Sequence, residues 1–160
     1  MMFGDVFDMI AHHRILIAVA LVAAPACAAL AAGIDPAEAE GIIFERQLIM
    51  EQLGKDSDLL GKVVAGLEPA AKLPEATRAI ADGARQSLEA YRQQVPGGRT
   101  KAEAWSNNAD FMRRMEDFAR NSEAMAAVGA RGDVTAVTGM LVDALPCKQC
   151  HDVYRTPKVN

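Results

Sequence analysis

The chain has 160 residues, enough for one domain with a real hydrophobic core. Its hydrophobic share is 51% but its aromatic share only 5%, so Ala, Leu, Val, Ile and Met carry the apolar content, which favours packed helices over sheets. A formal net charge of −4 argues against nucleic acid as a partner.

The first segment reads as a secretory signal peptide. Arg14 precedes the apolar run from Ile15 to Ala24, and Pro25 and small residues follow, with a cleavage site near Ala31. Asp5 and Asp8 spoil the expected basic flank, and Met9 is a better start than Met1. The run is nearly long enough to span a bilayer. Its second half is mostly Ala with a proline, and no basic stop follows, so cleavage is preferred to a permanent anchor. A lipid on Cys27 ranks last, because Ala24 and Pro25 make a poor processing site. The expected product is an exported, periplasmic domain over 32–160, with no stable membrane anchor after cleavage of 1–31.

Four helical segments follow. Asp35 is a natural N-cap and Pro36 a natural first residue. Ile43, Arg46, Met50, Leu53, Leu60, Val64 and Leu67 then recur at helical spacing as one stripe, which ends near Gly66. Pro74 opens a second helix with Ala76, Ile80, Ala84, Leu88 and Tyr91 on one face, and Pro96-Gly97-Gly98 stops it. Thr100 and Glu103 form a capping box for a third helix, whose face carries Trp105, Phe111, Met112, Met115, Phe118, Met125 and Val128 up to Gly129 and Gly132. Asp133 caps a fourth, with Val134, Val137, Met140, Leu141 and Leu145. Pro146 cannot sit inside it and should bend or restart it just before Cys147. No strand pattern appears. Four amphipathic helices on short turns predict an all-α antiparallel four-helix bundle, up-down-up-down.

The last helix carries Cys147-Lys148-Gln149-Cys150-His151. C-x-x-C-H is the attachment signature for c-type haem. Two thiols two residues apart share one side of a turn and can each form a thioether to a haem vinyl, and the adjacent imidazole can reach the iron. Once the leader is gone, His151 is the one remaining histidine and Cys147 and Cys150 the one remaining thiol pair. A zinc site usually needs four ligands, and no second cluster exists. A thioredoxin-like redox pair belongs where a strand enters a helix, which an all-helical chain does not offer. Haem needs only what is present.

With that motif the chain resembles the cytochrome c′ family, including its Met-ligated low-spin members. The resemblance rests on Cys147-Lys148-Gln149-Cys150-His151-Asp152-x-Tyr154-Arg155, on Arg46-Gln47, and on Trp105-Ser106 with Phe111. It implies one covalent haem c with iron ligated by His151. It places Met50, four positions after Arg46, over the open side of that iron. Helical spacing agrees that Met50 shares the face of Arg46. A ligating Met50 makes a low-spin electron carrier; a Met50 that only packs leaves a five-coordinate iron open to nitric oxide or carbon monoxide. An Arg within an apolar stripe asks for an anion, and a haem propionate would supply one, unless Arg46 snorkels from the bundle edge. Arg155 falls one turn after His151, where the family carries a basic residue near the imidazole or haem edge; a helix C-terminus attracts such a cation in any case. Trp105 would pack on the porphyrin edge, though a lone Trp in a small bundle is ordinarily core.

The expected function is electron transfer with periplasmic redox partner proteins, the alternative being capture of a diatomic gas. Nothing in the chain resembles an acid–base pair or nucleophile triad, so an enzyme is not expected. The resemblance also raises homodimerisation through the first two helices, for which the sequence shows no compelling patch.

Overall fold

The computed structural model describes residues 33–157, so the expected leader over 1–31 lies outside the described residues. Helix α1 runs Pro36–Val64, and the Asp35 carboxylate accepts the Ala37 N–H at 2.9 Å, as its local chemistry requires. The chain leaves the helix through Gly66 at φ +72°, and Leu67, expected on the buried stripe, lies past that turn and is 77% exposed. Val63 fills the place instead.

A 3₁₀ turn at Ala70–Lys72 leads into α2, Leu73–Arg92. The loop that follows lies against α1. A Cβ on Gly98 (φ +59°) would come within 2.8 Å of the Ile43 side chain. Glycine is needed there for both conformation and room.

The third segment departs from its expected capping box. Thr100 does not cap a helix; it forms an isolated antiparallel bridge with Arg155, and its hydroxyl shares a hydrogen bond with that of Tyr91. Lys101 N–H donates to Tyr154 O and Thr156 N–H to Arg99 O, each at 2.9 Å. This pairing of the pre-helical segment with residues 154–156 replaces local capping. The helix then forms in two pieces, α3 Glu103–Ser106 and α4 Asn108–Gly129, separated at Asn107 (φ −116°, ψ 47°).

Helix α5, Val134–Ala144, starts on the Asp133 cap, whose side chain accepts the Ala136 N–H at 2.9 Å. Pro146 then ends the rod and α6, Cys147–Tyr154, restarts at the first thiol. The four rods of the antiparallel bundle are therefore α1, α2, α4 and the broken pair α5–α6, with no strand among the described residues.

Two apolar clusters hold them. The first centres on Leu53, Leu60, Leu73, Ile80, Met125 and Val137. The second is aromatic, with Tyr91, Phe111, Met115 and Tyr154. Met50 packs against both, which puts it at their junction. On the outside of α1, Phe44 and Leu48 sit one turn apart and largely exposed.

Candidate functional site

Helix α6 has only eight residues, too few to be stable by propensity alone. Its docking residue is Tyr154, which is buried to 3% exposure. The ring meets Phe111 edge-on at 5.0 Å, and Phe111 meets Tyr91 at 5.1 Å. The Tyr154 hydroxyl donates to Asp110 Oδ2 at 2.6 Å. The same carboxylate accepts Arg114 Nε–H at 2.7 Å and an Arg113 N–H. Those three donors hold the Asp110 carboxyl well below the usual carboxylate range, Tyr154 contributing most. Sequence reading gave Tyr154 no role and passed over Asp110. Their traces were present: an aromatic one turn after His151, and an acid followed by arginines at i+3 and i+4.

Anchored this way, α6 turns Cys147, Cys150 and His151 onto a cavity of about 300 Å³ that is open on one side. Helix α1 supplies Met50, Leu53 and Gly54 to its lining, and α4 supplies Arg114, Met115 and Phe118. Arg155 lies at its edge. Five of the seven expected site residues therefore meet on one cavity: Cys147, Cys150, His151, Met50 and Arg155.

Arg46 and Trp105 do not line it. Arg46 is 3% exposed and gives its three nitrogens to backbone carbonyls: Nε to Ala90 at 3.0 Å, Nη2 to Gln93 at 2.5 Å and Nη1 to Val95 at 2.7 Å. These belong to the last turn of α2 and the residues after it, where helical carbonyls lack partners. Arg46 is thus a cap for α2, stacked on Tyr91 at 4.5 Å and Trp105 at 5.4 Å, and not a snorkelling edge residue. The fork of its guanidinium matches several carbonyls at once, which is why an arginine sits in an apolar stripe. Trp105 is half-buried beside it, and its Nε1–H is buried without an acceptor.

The imidazole's ionisation state suits haem ligation. Burial pushes both thiols up, so they stay protonated near neutral pH, and a thiol adds across a vinyl together with its own proton. Burial, then the positive Arg155 and Arg99, push His151 down and keep the imidazole neutral, the form that binds metal. Among the described residues no group of three or more His, Cys, Asp or Glu side chains is placed to hold an ion. A metal here must bring most of its own ligands, as a porphyrin does. An apolar slot lined by two thiols and one neutral imidazole fits that group.

Comparison with known proteins agrees. The family model described as Cytochrome C′ matches residues 41–155. A cytochrome c′ from Alcaligenes xylosoxydans xylosoxydans is 26% identical over 125 residues, covering 76% of this chain and 98% of its own. Among solved structures, a nitric oxide complex of a mutant cytochrome c prime from Alcaligenes xylosoxidans is 25% identical with a TM-score of 0.68, covering 75% of this chain and 97% of that one. Cytochrome c prime from Shewanella frigidimarina shares the fold, with a TM-score of 0.68 at 23% identity over 74% of this chain and 97% of its own.

Proposed function

The chain belongs to the cytochrome c′ family and carries one covalent haem c, and from that premise we propose that it is an exported protein that takes up nitric oxide or carbon monoxide. When bound, the haem supplies an iron that changes oxidation state by one electron and accepts a small ligand. The chain's residues do the rest. Cys147 and Cys150 would hold the group by its vinyls, and His151 would supply a neutral imidazole to its iron. Met50, from α1, lines the same cavity as His151. Leu53, Met115 and Phe118 keep the cavity apolar, which favours an uncharged diatomic over water, and this apolar lining is the observation that carries the proposal. The nitric oxide bound in the mutant relative is a property of that protein, and it supports the same use here.

The second reading is the electron carrier, with Met50 as sixth ligand. The thioether within the cavity lining favours it, and such a ligand would raise the potential. The visible spectrum of the reduced, haem-loaded protein separates the two. The gas-binding reading expects broad five-coordinate bands and ready uptake of carbon monoxide, with Met50→Ala leaving the spectrum high-spin and quickening uptake. Sharp, split low-spin bands that Met50→Ala converts to high-spin would overturn it in favour of the carrier. In either case the expected leader assigns the protein to the periplasm.

A further inference from the structure

Among the described residues most surface cations are paired with a carboxylate, as in the i,i+4 pairs of Lys55, Lys72 and Lys148 and the Arg78–Glu123 bridge between α2 and α4. Three without a carboxylate partner among the described residues gather at one place. Arg99 donates to the Thr156 carbonyl at 2.8 Å and Lys101 to the Asp152 carbonyl at 3.2 Å. Arg155 pairs in the backbone bridge with Thr100, between them, and makes no side-chain hydrogen bond among the described residues. All three surround the C-terminal end of α6, and Arg155 reaches the rim of the His151 cavity. The nearby Asp152 is engaged by Lys148.

Capping one short helix does not account for three cations. Lys62 and Arg131 stand near the ends of the much longer α1 and α4, one cation each. Crowding three like charges at an eight-residue helix costs repulsion that two carbonyl contacts only partly offset. In a chain of net charge −4 it makes a local field of the opposite sign.

We propose that Arg99, Lys101 and Arg155 form a docking patch, beside the His151 cavity that Arg155 lines, for an acidic one-electron carrier protein that would reduce the haem held there. One electron leaves the partner, which is oxidised, and takes the iron from ferric to ferrous; no atom is transferred. This rests on the haem reading, and both uses of the cavity need such a reductant.

The test compares two neutralised pairs of the haem-loaded protein, Arg99→Gln with Lys101→Gln and Lys62→Gln with Arg131→Gln, which change net charge equally. Stopped-flow oxidation of the ferrous protein by anionic hexacyanoferrate should slow about tenfold at low salt in the first pair only, and the difference should vanish at high salt. Oxidation by cationic tris(phenanthroline)cobalt should quicken in that pair. Equal changes in both pairs, or none in either, overturn the patch. Arg155→Gln, whose side chain makes no hydrogen bond among the described residues, repeats the test should the first pair fail to fold. Titration with hexaglutamate, followed by amide shifts, gives a reading independent of haem. Shifts confined to 99–101 and 152–156 support the patch and diffuse or absent shifts reject it. A protein lacking haem absorbance strikes at the functional reading alone, because the titration still decides the patch.

Discussion

A guanidinium at 3% exposure must find acceptors inside the protein, and Arg46 finds three carbonyls at the end of α2. Removing it leaves those carbonyls buried and unpaired. We expect Arg46→Leu to cost about 2–4 kcal/mol in urea unfolding, and Arg46→Lys to restore only part, since an ammonium cannot fork. An unchanged midpoint for Arg46→Leu would refute the cap. Asp110 makes a second residue-scale prediction, through pH. Its carboxyl is held below its ordinary value by Tyr154, Arg114 and Arg113. A depressed carboxylate stabilises the fold above its unfolded pKa, and that stability drains away as pH falls toward the folded one. The native chain should therefore lose stability more steeply than Asp110→Asn below about pH 4, with the gap between them widest near neutrality. Parallel stability curves for the two would show that Asp110 does not hold α6.

At the scale of elements, α2 and α4 approach closely where Gly129 meets Thr77. A Cβ on Gly129 would overlap the Thr77 hydroxyl and come within 2.7 Å of its methyl. Thr77 is fully buried, and its hydroxyl donates to Leu73 O at 2.9 Å, so it has no room to turn. Gly139, on α5, has nothing within 4 Å of the same position. Gly129→Ala should thus destabilise by about 1–2 kcal/mol although alanine is the better helix former, whereas Gly139→Ala should stabilise by about 0.5–1 kcal/mol. Urea midpoints moving in the same direction would contradict the close approach. Sequence alone marks Gly129 only as the end of a helix, because a neighbour's position leaves no trace in local spacing. The same limit explains the other differences. Asp35, Asp133 and Pro146 act within a few residues of themselves, and each did what its chemistry dictates. Thr100 was drawn into a bridge with Arg155, and Tyr154 into a bond with Asp110, by partners far along the chain. At the site, the thiols, the imidazole and Met50 were legible from spacing and resemblance. Arg46 was not, because its acceptors are carbonyls, which every sequence has.

For the molecule as a whole, the cavity joins the two apolar clusters and sets the stability of the empty chain. Leu53 belongs to the first cluster and Met115 to the second, and both line it. At about 24 cal/mol per Å³, an unfilled void of about 300 Å³ would cost about 7 kcal/mol, an upper limit because the open side admits water. Total stability for a domain of this size is about 5–15 kcal/mol. The haem is therefore a structural member as well as the site of chemistry, and the chain made without it should be less stable by several kcal/mol, with a broad, early thermal transition. Gly54 provides the internal check. It lines the cavity on α1, and a Cβ there meets nothing within 4 Å. Gly54→Leu should raise the melting temperature of the haem-free chain, by filling space and favouring the helix. It should lower that of the haem-loaded protein, where the same side chain competes with the porphyrin. Calorimetry on the four samples reads this crossing of signs, and a haem-free chain that melts where the loaded protein does would remove the cavity from the stability of the fold.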